Sequence, residues 1–319
     1  MRTIQLYGQL PEADIAALEG KLIDESYYDL LVDGEEDTTV VLPSMEPLFI
    51  VRRQVVRRAW VEAFLPAFRA AAKSGDLANR GGAVSLGSNS QEEEQPDGTM
   101  KKRQRIQLTD YPHLLGPDGK VMSTGNVVGY FETDLPRFPA CRLSSFAAHH
   151  VRRWEWMQRY AELGCRVFEE SRPERYAIQK DWADRTGKEW VIPGTCFTTM
   201  TVNRNWQTAV HQDKGDLPEG CGVMGVIGND RHQGLHFTYP RYRVACALRS
   251  GDIIVNNVHE WHANTPVRNA QPGWERISIV LYYRKHMLEC ESMTEEQKKQ
   301  EDYYNAHPQY QRVTSSKVS

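Results

Sequence analysis

The stretch Phe197-Thr198-Thr199-Met200-Thr201-Val202 opens the part of the chain that decides the fold. It is short, apolar and rich in β-branched residues, and similar runs follow it. They are Val223-Met224-Gly225-Val226-Ile227, Leu235-His236-Phe237, Val244-Ala245-Cys246-Ala247-Leu248, Asp252-Ile253-Ile254-Val255 and Ile277-Ser278-Ile279-Val280-Leu281-Tyr282-Tyr283. Trp190-Val191-Ile192 precedes the set, so β-structure is expected from about 188. Short strands at this spacing, separated by turn residues, predict a sandwich or barrel.

Working outward, residues 145–171 read as a helix. Phe146, Val151, Trp154, Met157, Tyr160, Ala161 and Phe168 form an apolar stripe that no proline interrupts. His149-His150 and Arg152-Arg153 stand at its start, where they could meet phosphate or simply form a solvated face. Residues 1–73 read as mixed α/β. A short helix is expected after Pro11, carrying Ile15 and Leu18. A longer one is expected from Arg52 to Ala72, with Val55, Val56, Trp60, Phe64 and Phe68 at helical spacing. Between them, residues 74–105 are polar, from Asn79-Arg80-Gly81-Gly82 through Glu92-Glu93-Glu94 to Lys101-Lys102-Arg103-Gln104-Arg105. A loop that long is either a solvated linker or one that orders over a substrate. Residues 291–319 read as a surface helix and tail.

Composition excludes several classes. The 319 residues carry 8 Trp, 14 Tyr and 9 Phe, too many aromatics for a disordered chain. No apolar run approaches the ~20 residues of a membrane span. A net charge of −3 excludes a globally basic coat, so contact with nucleic acid would have to run through local basic clusters. The six cysteines lie far apart without a CxxC pair, which predicts reduced thiols rather than a zinc finger or disulfide framework. The first residues lack the long apolar stretch and small-residue cleavage site of a signal peptide. An intracellular protein that is not secreted is the expectation.

The chemistry concentrates in three places. His211-Gln212-Asp213 puts an imidazole and a carboxylate on one side of an extended segment. About fifty residues on comes Asn257-Val258-His259-Glu260-Trp261-His262-Ala263-Asn264-Thr265-Pro266. Its two histidines are three apart, so on a strand only one can look into a barrel. Arg276 then opens the strand Arg276-Ile277-Ser278-Ile279-Val280. Two histidines and one carboxylate can occupy one face of a ferrous ion and leave open positions. A 2-oxo acid and dioxygen could fill them. Arginine is the bidentate partner for the remote carboxylate of such an acid, and Ser278 lies on the same strand face.

Glu260-Trp261-His262-Ala263-Asn264-Thr265-Pro266 and Glu275-Arg276-Ile277-Ser278-Ile279-Val280-Leu281-Tyr282 resemble the TET/JBP family of nucleic-acid base dioxygenases. Val202 to Leu217, Gly129-Tyr130-Phe131 and Arg137-Phe138-Pro139-Ala140-Cys141-Arg142-Leu143 resemble its phage, algal and thymine-hydroxylating branches more than the animal enzymes. The resemblance covers roughly 125–290. It implies an α+β fold with a double-stranded β-helix (jelly-roll, cupin-like) core and flanking helices. An N-terminal α/β extension would span 1–125, the dioxygenase core 126–290 with strands mainly in 188–285, and a C-terminal helix and tail 291–319.

The resemblance also implies roles. His211, Asp213 and His262 would hold Fe(II), leaving His259 out. Arg276 and Ser278 would hold 2-oxoglutarate, with Arg142 reaching either the co-substrate or the base. Tyr282 would pack near a flipped pyrimidine. O2 would be the second co-substrate, and DNA the macromolecular partner. The implied reaction is hydroxylation of a pyrimidine 5-methyl group, which inside a duplex requires the base to be flipped out. The chain departs from the animal enzymes at Arg284, where they carry histidine, and at Lys214-Gly215-Asp216, where they carry asparagine. Asp216, if ionised, accepts hydrogen bonds only, which tilts the expectation towards 5-methylcytosine over thymine. Alternatively Asp216 pairs with Lys214 or caps a turn. Two rivals remain: a 2-oxoglutarate oxygenase for a small molecule or protein side chain, and a catalytically silent barrel.

Overall fold

The computed structural model describes residues 1–74, 123–135 and 138–310, and the backbone of 90–94 and 100–104. In chain order the elements are β1 (Arg2–Gln5), α1 (Glu12–Ala16), β2 (Leu30–Val32), β3 (Thr38–Val41), β4 (Pro47–Arg52) and α2 (Arg58–Lys73). Next come β5 (Ser90–Glu94), β6 (Met100–Gln104), β7 (Thr124–Phe131), β8 (Arg142–Leu143), α3 (Ser145–His149), α4 (Val151–Ser171) and α5 (Pro173–Arg185). The remainder are β9 (Thr199–Arg204), β10 (Gly222–Gly228), β11 (Gln233–Gly234), β12 (Phe237–Tyr239), β13 (Val244–Cys246), β14 (Ile253–Asn256), β15 (Ala263–Asn264), β16 (Val267–Arg268), β17 (Arg276–Tyr282) and α6 (Met293–Ala306).

Two sheets face each other. The larger runs β1-β3-β4-β14-β10-β17-β9-β7-β8, antiparallel apart from the β1–β3 pair. The smaller runs β15-β12-β13-β2. Strand alternation explains how the layers pack. On β17, Ile277, Ile279 and Leu281 face outward into a core shared with Trp154, Met157, Tyr160, Phe64 and Phe68 of α4 and α2. The opposite face of β17 carries Arg276, Ser278, Val280 and Tyr282 into the space between the sheets. The inner core there joins Met224 and Val226 of β10 to Phe237 and Tyr239 of β12 and Phe49 of β4. This is the α+β jelly-roll with flanking helices that the sequence leads one to expect. No helix among the described residues is long and apolar enough to cross a membrane.

The first 52 residues are woven into both sheets. β1, β3 and β4 extend the large one, and β2 pairs in parallel with β13. Arg53 fastens this region to the core by donating to the Asp252 carboxylate at 2.7 Å, with both side chains buried.

Several local expectations are corrected. The helix expected from Arg52 starts at Arg58, because Arg52 still pairs with Ile253 in the sheet. Trp60 is 50% exposed, and Val61, Ala67, Ala71 and Ala72 join Phe64 and Phe68 on the buried face. The helix expected over 145–171 breaks at His150, which caps both halves and packs its ring on Phe146 at 4.8 Å. Residues 188–190 form a 3-10 turn rather than a strand, held by Trp190 Nε1 donating to the Glu291 carbonyl. The reduced-thiol expectation fails for one pair. Cys141 and Cys290, 149 residues apart in sequence, form a disulfide, while Cys165, Cys196, Cys221 and Cys246 are free and buried.

Within the polar stretch 74–105, the backbones of β5 and β6 pair antiparallel, Ser90 opposite Gln104. Asn79-Arg80-Gly81-Gly82, the side chains of Glu92-Glu93-Glu94 and of Lys101 to Arg105, Arg137 and the tail from 311 lie outside the described residues.

Candidate metal centre and its cavity

His211 and His262 come from segments that meet in a single antiparallel bridge. Each donates its backbone N–H to the other's carbonyl at 3.0 Å, which brings the rings to 4.3 Å. Asp213 follows on the same segment, and its own N–H is held by the Val258 carbonyl at 3.0 Å. The Asp213 carboxylate lies 3.4 Å from Nε2 of His211 and 3.7 Å from Nε2 of His262. One ligand atom from each of the three falls within 4.8 Å of the others.

The histidines are oriented by their own backbones. Nδ1 of His211 meets the Ala209 carbonyl at 2.9 Å, and Nδ1 of His262 meets the Glu260 carbonyl at 2.8 Å. Both contacts require Nδ1–H, so Nε2 is the nitrogen that each ring turns towards Asp213 and has available for a metal. Burial, with His211 adding to it, pulls His262 down to about 4, so it is neutral near pH 7. His259 is turned away, its Nε2 at 3.0 Å from the Leu217 carbonyl. Two imidazoles and one carboxylate on one side of a cavity suit ferrous iron and leave room for other ligands.

That cavity has a volume of about 400 Å³. Beside the triad it is lined by Ser278, Tyr282, Asp216, Asn203 and Arg284, among others. Arg276 lies one alternation beyond Ser278 on the same face of β17. It is almost fully buried, and its Nε and Nη2 have no hydrogen-bond partner among the described residues. Burial lowers its pKa to about 10, and Asp230 opposes the shift. A buried guanidinium with idle donors is unfavourable by itself and calls for an anion. The dicarboxylate 2-oxoglutarate supplies one, so the residues present fit both iron and this co-substrate. The backbone of Arg276 is fixed on both sides by Asn205, whose Oδ1 accepts from its N–H at 2.9 Å and whose N–H donates to its carbonyl at 2.8 Å.

The structure separates the other expected residues. The Tyr282 hydroxyl meets Thr201 Oγ1 at 3.2 Å at the cavity wall. Asp216 is buried and bridged through its backbone to Arg284, and its Oδ2 has no partner among the described residues. Burial pushes its carboxyl well above the usual range, Asp213 adds to the rise and Arg284 opposes it. The premise of an acceptor-only Asp216 is therefore weakened. Its pairing with Lys214 does not occur either, since Lys214 donates to Glu19 at 3.0 Å.

Arg142 is not brought to Arg276. It lines a second cavity of about 1190 Å³, donating to the Glu132 carbonyl at 2.8 Å with its guanidinium 3.6 Å from the Phe138 ring centre. His149 and His150 line that same cavity. Two residues were missed as companions of Arg276: His232 and His236, whose pKa values its charge helps to lower. His236 is oriented by Tyr28, whose hydroxyl meets its Nδ1 at 3.1 Å. The signal was present in Leu235-His236-Phe237, a histidine entering a core strand.

The profile of the family Tet_JBP, described as the oxygenase domain of the 2OGFeDO superfamily, matches residues 126–285. The bifunctional helicase and thymine dioxygenase JBP2 of Leishmania tarentolae is 32% identical over 166 residues, 51% of this chain and 14% of that protein. The thymine dioxygenase JBP1 of Trypanosoma brucei brucei is 29% identical over 170 residues, 52% of this chain and 20% of that protein. The chain thus matches a fifth or less of the length of these relatives. The solved structure of NgTET1 in complex with 5mC DNA superposes with a TM-score of 0.51 at 8% identity, covering 92% of this chain and all of that one, a likeness of fold. A match over half of the chain, on the segment that carries the His-Asp-His cluster and Arg276, establishes that the protein belongs to the Tet_JBP family of 2-oxoglutarate- and Fe(II)-dependent dioxygenases.

Proposed function

We propose that this protein hydroxylates the 5-methyl group of a pyrimidine base in DNA, with thymine as the favoured base. The observation that carries the reading is the cavity that joins the His211, Asp213 and His262 cluster to Ser278, Asp216, Tyr282 and Arg284, with the buried Arg276, whose Nε and Nη2 have no partner among the described residues, one alternation beyond Ser278 on the same strand. Iron held there, with 2-oxoglutarate and O2, would supply the oxidising chemistry: one oxygen atom of O2 ends in succinate as the keto acid loses CO2, and the other is inserted into the C–H bond.

The chain's own residues do the rest. His211, Asp213 and His262 would hold the metal. Arg276 and the Ser278 hydroxyl bind the remote carboxylate, and neutral His236 can add a hydrogen bond beside them. The Tyr282 ring and Val280 exclude water around the reacting methyl. A base inside a duplex cannot reach this cavity, so DNA binds with the nucleotide flipped out or already unpaired. His149 at the end of α3, His150 at the junction, and Arg152 and Arg153 at the start of α4 offer contacts for the phosphates near the second cavity.

Thymine is preferred to 5-methylcytosine for two reasons. The relatives named above are thymine dioxygenases, and a buried Asp216 is a poor ionised acceptor for the cytosine amino group. Duplexes containing thymine only, or thymine with 5-methylcytosine, are incubated with enzyme, Fe(II) and 2-oxoglutarate, then digested for nucleoside mass spectrometry. Hydroxymethyluracil is the expected product. Hydroxymethylcytosine alone reverses the choice of base. Succinate release without any modified nucleoside, together with salt-independent binding to DNA, points to a small-molecule or protein substrate instead.

A further inference from the structure

We propose that Arg284, clamped by Glu132, is the residue that selects the base, by reading the exocyclic group at C4. The inference rests on the reading of the cavity as a pyrimidine pocket and deepens it.

Arg284 and Val127 line both cavities, so Arg284 stands where the metal cavity opens into the larger one. Its guanidinium is fixed on several sides. Nη2 donates to Glu132 Oε1 at 2.6 Å and Nε to Oε2, a two-point clamp on a carboxylate that is itself mostly buried. The Phe131 ring lies 5.3 Å away, and the Tyr282 hydroxyl faces the same group. Its backbone N–H is held by Thr198 Oγ1 at 3.0 Å, and it bridges to Asp216 on the loop that follows the metal ligand Asp213.

Glu132 also fixes Arg142 through its carbonyl. One acidic residue therefore organises both arginines on this wall. The clamp uses Nε and one N–H of Nη2, so the fork keeps further N–H groups, and the residue itself lines the metal cavity.

A guanidinium donates hydrogen bonds and accepts none. In a pyrimidine the C4 substituent is the ring neighbour of the 5-methyl group. A base with its methyl at the metal triad brings that substituent to the adjoining wall. Thymine presents O4, an acceptor. 5-Methylcytosine presents an amino group, and donor would face donor in a site with little water. Such a mismatch costs far more than loss of a solvated hydrogen bond.

The test measures kcat/KM on matched oligonucleotides that carry one thymine or one 5-methylcytosine at the same position. Wild-type enzyme prefers thymine. In Arg284→Gln, whose amide can also accept, the preference falls by about tenfold or more while the KM for 2-oxoglutarate is unchanged. Glu132→Gln keeps the guanidinium but loosens it, lowering thymine kcat/KM with a smaller loss of preference. If Arg284→Gln loses iron or helical signal, the Glu132→Gln ratio decides. An unchanged ratio overturns the role of Arg284 and leaves the pyrimidine reading intact. Wild-type enzyme that oxidises neither oligonucleotide overturns both.

Discussion

His211 and His262 hold each other in place through their main chains, each backbone N–H donating to the other's carbonyl at 3.0 Å. The two imidazoles of the candidate metal site are thus set by a bridge between segments fifty residues apart, and Asp213 hangs from the same loop as His211. Because the scaffold of the site is backbone, side-chain substitutions within it should change chemistry more than fold.

Asp213→Ala tests this directly. The variant loses the sole anionic ligand of the cluster, so iron content and 2-oxoglutarate turnover fall to background. The bridge remains, and the thermal midpoint should stay close to wild type. Turnover at the wild-type level would refute the assignment of the metal site.

Arg276→Lys replaces a rigid fork with a single ammonium on a flexible stem. The KM for 2-oxoglutarate should rise by about tenfold or more, with iron affinity preserved. An unchanged KM means another residue holds the remote carboxylate, and His236 would be the next to examine.

His232 gives a pH dependence. Burial first, then Arg276 and His236, lower it from 6.5 to about 4. The unfolded chain therefore binds this proton before the folded one does. Stability is unaffected by this group above about pH 6.5 and falls as pH drops from there towards 4. In His232→Gln that part of the loss disappears. Urea midpoints at pH 7 and pH 5 for both proteins provide the comparison, and equal losses would assign the slope to other groups.

Gly129 sits on β7 with φ of +119°, and a Cβ there would lie 2.6 Å from the Thr198 carbonyl oxygen. Gly129→Ala should destabilise the protein by about 2 kcal/mol, through backbone strain and a clash with the neighbouring strand β9. Chemical denaturation gives the value. A neutral effect would mean that the β7–β9 edge yields easily.

The Cys141–Cys290 disulfide ties the strand next to the second cavity to the start of the C-terminal region. Cys290→Ala should lower stability by about 2–4 kcal/mol under non-reducing conditions. A reductant should bring wild type to the same value, and a wild type insensitive to reductant would argue against the bridge.

The chain itself spelled out the strands. Alternation in Arg276-Ile277-Ser278-Ile279-Val280-Leu281-Tyr282 puts Arg276 and Ser278 on one face before any coordinates are seen, and the structure shows the other face packed on helices. The order His211, Asp213, His262, Arg276 likewise carries the metal and anion chemistry, because ligand identity and same-face spacing are local properties. The period of two leaves room for only one of His259 and His262, and the structure decides between them by turning His259 towards the Leu217 carbonyl.

Contacts between distant segments belong to the tertiary structure alone. Nothing in the sequence links Glu132 to Arg284 or Cys141 to Cys290, and nothing places Arg142 on a different cavity from Arg276. Residues 1–52 carry ordinary strand signals, yet only the assembled sheets show that they pair with β14 and β13. The break at His150 also escaped, since the apolar stripe continues across it. Local sequence encodes period and chemistry, whereas which side chains meet across the two sheets depends on how the whole chain packs.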